Sequence, residues 1–297
     1  MLIRVRHNSR TWKGFYKQEL EKYEQMETPL THIPILTQKH AVIFGAGGAV
    51  GTAVAKEFAA QGATVFLSGR RLAAVEQVAQ EIHQDGGVAY AEQVDALDEQ
   101  AVQAYLNRVV KEAGSIDILL NVTGPQPKDY SNGLNTLELP LEHFLLPLST
   151  LVPSQFITAR AAARHMVRQR SGVILFVTAG LDMTKTPNVT AIGAAFGAME
   201  ALMRCLAADL SPSGVRVLGI RTGAMVDTRT IQQGIENVVN TMGVSKAQVI
   251  AQFEQATLLK RLSTAADAAR VAAFLASDGA RTITGAMVNA SSGRIVD

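Results

Sequence analysis

The stretch Ala41-Val42-Ile43-Phe44-Gly45-Ala46-Gly47-Gly48-Ala49-Val50-Gly51 decides the fold of this chain. Four apolar residues form a short β-run, the glycines permit a tight turn, and the alanine-rich sequence that follows reads as a helix to about Gln61. A turn of this kind lets backbone amides at a helix N-terminus approach a diphosphate. Its position between a strand and a helix is what separates it from a chance cluster of glycines.

From there the pattern repeats. Strands are expected at Thr64–Leu67, Val88–Gln93, Ile116–Asn121, Val173–Val177 and Val215–Ile220, followed by one last strand. Between them come helices at Leu72–His83, Glu99–Ala113, near Ser154–Arg168, near Ala194–Leu210, and a last one before the final strand. Strands alternating with helices predict a doubly wound α/β fold of Rossmann type, with about seven parallel strands in the order 3-2-1-4-5-6-7. The expected organisation is an N-terminal extension over residues 1–37 and a single domain over 38–297. An irregular region near 222–262 has the length of a lid over a pocket.

The remaining composition narrows the function. Of 297 residues, 47% are hydrophobic and 18% charged, which suits a buried globular interior, and no uninterrupted apolar run reaches the length of a membrane span. A formal charge of +2 gives no broad basic face, so neither nucleic acid nor membrane is an expected partner. Cys205, the only cysteine, excludes an intrachain disulfide and a thiolate metal cage; no metal is expected, and a reducing cytoplasm fits. Cys205 itself reads as buried packing between Leu202 and Leu206, and His143 as a hydrogen-bonded packing residue. Near the start, Trp12, Phe15, Tyr16, Leu20 and Tyr23 fall on one stripe of a short amphipathic helix, expected to pack as an arm; Met26 is an alternative start.

At the end of the second strand the chain reads Ser68-Gly69-Arg70-Arg71, where selectivity for NAD would call for an acid that holds the ribose hydroxyls. A guanidinium instead suits a 2′-phosphate, which favours NADP(H) over NAD(H).

From about residue 38 to 295 the chain resembles the short-chain dehydrogenase/reductase family. The resemblance is carried by the glycine turn, by Asp95 at the position of the acid that meets the adenine amine, and by Asp117-Ile118-Leu119-Leu120-Asn121-Val122-Thr123-Gly124, similar to that family's strand ending in Asn-Asn-Ala-Gly. Ser171-Gly172, Gly214-Val215-Arg216-Val217 and Thr284-Gly285 extend it. Two departures stand in the turn, Ala49 for a glycine and Phe44 for a threonine. The resemblance implies cofactor contacts from Gly45, Gly47, Gly48, Ala49, Val50, Gly51, Ser68, Arg70, Arg71, Asp95, Ala96, Asn121, Val122 and Thr123, and from Thr222, Gly223 and Thr228 after the sixth strand. It also implies a homodimer or homotetramer formed through the two long helices.

The family's proton chemistry rests on Asn, Ser, Tyr and Lys, the last two facing the cofactor from one helix. Aligned on Ser171-Gly172, those positions hold Leu151, Ala179, Ile192 and Phe196. Tyr130 is the last tyrosine in the chain, so no shift of register supplies a phenol from the second half. The residues left as replacements are Tyr130, Thr178, Asp182 and Lys185, because they follow the fourth and fifth strands, on the edge where α/β active sites sit. Three readings stay open: an oxidoreductase for a small apolar carbonyl or enone with non-standard proton donors; a non-catalytic binder of a dinucleotide or metabolite; and a non-redox cyclase or dehydratase using an apolar pocket.

Overall fold

The computed structural model describes residues 33–296, apart from the side chains of 237 and 240–242. The aromatic stripe from Trp12 to Tyr23 lies outside the described residues. The seven strands are β1 (His40–Phe44), β2 (Thr64–Gly69), β3 (Val88–Gln93), β4 (Ile118–Asn121), β5 (Gly172–Thr178), β6 (Val215–Thr222) and β7 (Met287–Ala290). They form one parallel sheet in the order β3-β2-β1-β4-β5-β6-β7, as the alternation predicted. The inner strands are apolar nearly throughout because helices cover both faces, whereas edge strand β3 leaves Val88 and Tyr90 exposed.

Helices α1 (Ala49–Ala60), α2 (Leu72–Gln84), α3 (Glu99–Ala113), α4 (Leu141–Gln169), α5 (Thr190–Leu210), α6 (Arg229–Met242), α7 (Lys246–Gln255) and α8 (Ala265–Ala276) complete the domain. One core joins α1, α2 and α8 to the sheet through Val54, Phe58, Val75, Ile82 and Ala272. The core on the opposite face joins α3, α4 and α5 through Leu106, Ala162, Met166, Ala195 and Met199. The chain reverses direction across the sheet between β1 and β4, and there Phe44 is in register with both Ser68 and Asn121. That reversal opens the crevice in which doubly wound sheets hold their ligands.

Three expectations need correction. Helix α4 begins at Leu141, well before Ser154, and runs through Pro147 and Pro153. Each proline deletes one helical amide bond, but Pro147 and Leu151 are buried along this stretch and the packing outweighs the loss. The region 222–262 is not irregular. It holds α6 and α7, the latter opened by a capping box in which Ser245 and Gln248 satisfy each other's backbone amides. Finally, Thr190–Ser213 is long and apolar enough to pass as a membrane span by composition. It is apolar because α5 packs against β5, β6 and α4 as a core helix, which buries half of that window.

Candidate active site

Gly45 leaves β1 with φ +79°, and a Cβ there would stand 2.9 Å from the Thr123 amide nitrogen. Its amide and that of Ala46 both donate to the Ser68 carbonyl, at 2.9 and 3.1 Å, which ties the turn to the end of β2. A Cβ on Gly51 would stand 2.3 Å from the Gly45 carbonyl oxygen, and one on Gly47 would press on Ala74 at 3.0 Å. The turn closes on these contacts, so Gly45 and Gly51 are required by geometry. Gly48 is the N-cap of α1 and supplies no side-chain cap. Ala49, Val50 and Gly51 therefore open the helix with amides that no side chain among the described residues satisfies, at the end where a helix attracts an anion. The turn fits a diphosphate on this ground.

Beside it, Ser68 is fully buried, while Arg70 and Arg71 are exposed at the end of β2. Among the described residues neither guanidinium pairs with an acid; Gln93 fixes the Arg70 carbonyl at 3.0 Å. Asp95 is exposed and turns its carboxylate onto the Leu97 amide, and Ala96 behind it is buried. Asn121 is a structural node. Its side chain donates to Thr158 Oγ1 at 3.1 Å and accepts from the amide and hydroxyl of Thr123 at 2.9 and 2.7 Å. Gln155 donates to its carbonyl at 2.6 Å, and Ser154 stands 3.3 Å from Thr123 Oγ1. Ser154, Gln155 and Thr158 were not foreseen; three buried polar residues at helical spacing facing the end of β4 are the signal that marks them. Val122 continues the β1 ladder through its amide bond to Phe44.

The second half of the edge differs. Leu151 is buried on α4 and covers Gly124, where a Cβ would come within 2.9 Å of its Cδ2. Ile192 is buried in the α5 core and Phe196 packs against the same core. Ala179 follows β5 directly, partly buried. Thr178 is buried, and its hydroxyl donates to Glu200 Oε1 at 3.1 Å, so that proton is committed. Thr222 donates to the Thr178 carbonyl at 3.1 Å, Thr228 donates to the Met225 carbonyl at 2.7 Å, and Gly223 packs against Ser291. Tyr130 lines a small recess with Leu134, Leu139, Val189 and Ala191, and burial with the Asp129 charge pushes its phenol up to about 12. His143 Nδ1 bonds Ser131 Oγ at 2.8 Å, a packing role. Cys205 is exposed on the outer face of α5, contrary to the buried position expected of it.

Asp182 and Lys185 are exposed on the loop between β5 and α5. The Asp182 carboxyl is raised above its usual range, first by desolvation and then by the charge of Glu200. Glu200 itself is an unforeseen residue. It is buried on α5 and receives Arg221 Nε at 2.9 Å and Nη2 at 2.7 Å, with Arg204 at 3.9 Å. An acid in the middle of an apolar helix and an arginine near the end of an apolar strand were the available signals. Among the described residues no group of three His, Cys, Asp or Glu stands together as a metal cage.

Comparison with known proteins places this geometry. The sequence model of a family described as enoyl-(acyl carrier protein) reductase matches residues 45–294. A 7alpha-hydroxysteroid dehydrogenase of Escherichia coli is 30% identical over 260 residues, covering 88% of this chain and 95% of that one. An L-rhamnose 1-dehydrogenase (NAD(P)(+)) of Azotobacter vinelandii is 29% identical, covering 89% and 99%. Among solved structures, a 7 alpha-hydroxysteroid dehydrogenase complexed with NADH and 7-oxo glycochenodeoxycholic acid superposes with a TM-score of 0.76 at 30% identity, covering 88% and 96%. A xylitol dehydrogenase bound to NAD+ gives 0.79 at 26% identity, covering 87% and 99%.

Proposed function

Because this chain belongs to the short-chain dehydrogenase/reductase family, we propose that it is an oxidoreductase that takes NADP(H) in preference to NAD(H) and acts on a small apolar carbonyl or enone through non-standard proton donors. The observation that carries the reading is the uncapped start of α1 at the Gly45–Gly51 turn, together with two exposed arginines at the end of the neighbouring strand β2 that have no acid partner among the described residues. In this reading the amides of Ala49, Val50 and Gly51 hold the diphosphate, Arg70 holds the 2′-phosphate, and Asp95 with Ala96 borders the adenine. When bound, the reduced dinucleotide supplies the hydride.

What the chain itself adds is an apolar wall. Leu151, Ala179, Ile192 and Phe196 occupy the positions at which the resemblance implies Asn, Ser, Tyr and Lys, so a proton has to come from elsewhere on the same edge. Two of the four replacements are poorly placed for it. Tyr130 is a weakened acid in a closed recess, and the Thr178 hydroxyl already serves Glu200. Asp182 and Lys185 remain, both facing solvent at the loop. The same hydrocarbon at 192 and 196 favours a second reading, a dinucleotide holder without turnover.

Titration of the protein with NADPH and NADH, followed by cofactor fluorescence, and then a panel of ketones and enones separates the two. Binding that favours NADPH, with loss of the reduced-nicotinamide absorbance on one substrate class, is the expected outcome. Binding without consumption leaves the holder, and no binding of either dinucleotide overturns both. Helices α6 and α7 are proposed to cover the substrate, and α4 and α5 to pair between copies; a monomer by light scattering would refute the pairing.

A further inference from the structure

Two neighbouring stripes run along α5 at helical spacing. One carries Ile192 and Phe196; the next carries Gly193, Gly197, Glu200 and Arg204. The glycines are where the loop after β5 comes down. A Cβ on Gly193 would stand 3.4 Å from the Leu181 carbonyl oxygen, and one on Gly197 would stand 3.7 Å from Asp182 Cβ. Gly180, at φ +60°, starts that descent, and the Met183 amide closes the turn on the Gly180 carbonyl at 3.1 Å. Asp182 is thereby laid against α5 at Gly193 and Gly197, each one residue beyond the apolar positions 192 and 196.

Farther along the same stripe stands Glu200, tied to the Arg221 fork and to Thr178. The charged groups that act on Asp182 are Glu200 and Arg204 from α5 and Arg221 from β6. Desolvation and Glu200 raise its carboxyl, while Arg221, Arg204 and a backbone hydrogen bond lower it, and the net direction is upward. Two nearby carboxyls with unlike surroundings divide their roles: one is locked in an ion pair, and the other is left to exchange protons with solvent and ligand.

We propose that Asp182 exchanges the proton with the substrate oxygen, and that Glu200 and Arg221 are positioning residues that set its charge. This rests on the oxidoreductase reading. A bound reduced dinucleotide would supply hydride to the carbonyl carbon; the Asp182 carboxyl would give its proton to the carbonyl oxygen, and water would reprotonate the carboxylate left behind. A carboxyl raised above its ordinary range stays protonated to higher pH, so reduction falls as pH rises through its titration. Glu200→Gln removes one cause of the rise and leaves both arginines, so the titration and the falling limb move together to lower pH.

The test follows the full-length protein labelled with 13C at aspartate Cγ, the Asp182 signal being the one missing in Asp182→Asn, and in parallel the reduction of 9,10-phenanthrenequinone by NADPH. The expected results are a titration above that of ordinary aspartate, a downward shift in Glu200→Gln, and at least a tenfold loss of turnover in Asp182→Asn with NADPH binding kept, the lower bound for a positioned acid being about a hundredfold when no other donor substitutes. Since Glu200→Gln takes away the carboxylate that the Arg221 fork grips, the double variant Glu200→Leu/Arg221→Leu is the control, expected to shift the titration less. An ordinary, unmoved Asp182 titration, or a turning-over protein in which Asp182→Asn is equally active, overturns the assignment alone. If the unaltered protein binds NADPH and consumes it with neither the quinone nor any member of the ketone and enone panel, the oxidoreductase reading falls and takes the assignment with it.

Discussion

The carboxyl ends of β1 and β4 and those of β5 and β6 lie on one edge of one sheet; polar side chains close on one another at both, around Asn121 and around Glu200, and the two ends differ in their backbone. At the first pair the groups that matter are backbone amides, left over by a turn that only glycine can make at Gly45 and Gly51. At the second pair the polar side chains satisfy one another, as Thr178, Glu200 and Arg221 do, while the residues facing the core from α5 are hydrocarbon. A backbone site is bound to the fold, because a substitution that removes it also strains the chain. A side-chain site is not; Ile192 and Phe196 pack on α5 at no cost to the sheet.

The strongest way to break this comparison is to place at 192 and 196 the side chains that the family resemblance implies there. Ile192→Tyr combined with Phe196→Lys should raise NADPH-dependent ketone reduction by about 10²–10⁴-fold, the range of a positioned acid. If NADPH binds this variant and turnover stays flat, the proposed reading of positions 192 and 196 fails. Next in size is Arg221→Leu, which leaves the Glu200 carboxylate buried without its fork and should cost about 3–5 kcal/mol in urea unfolding. The matched Glu200→Leu/Arg221→Leu pair should lie close to the unaltered protein, because it removes both charges together.

Gly51→Ala examines the first edge, where the added methyl meets the Gly45 carbonyl. Overpacking of that kind costs about 1–3 kcal/mol, and NADPH binding should be lost along with the stability; a folded variant of normal affinity would show that the turn is dispensable. The mildest expected effect is Arg70→Ala, weakening NADP binding about 10–100-fold, the worth of one hydrogen bond to a charged group. NAD binding should barely change, and equal weakening of both would remove the reason for preferring the phosphorylated cofactor.

Much of this was legible before any coordinates. The strands were found within one or two residues of their ends, since apolar runs buried on both faces leave little room for another reading. The glycine turn could be placed for the same reason, its amides being set by chain geometry. The start of α4 was missed because Pro147 and Pro153 locally oppose a helix that burial sustains, and α6 and α7 because both are short and their apolar residues are interrupted by amide side chains. Tyr130 and Thr178 looked available for chemistry until burial and the bond to Glu200 removed them.

Sequence alone determined the sheet, its order, the glycine turn after β1 and the absence of any tyrosine beyond Tyr130, all of which follow from residue type and local spacing. Only the tertiary structure decided that Glu200 meets Arg221 and that Asp182 rests on a glycine-paved face of α5. Those contacts join residues from separate elements, and their charges act on one another through distances that folding alone creates.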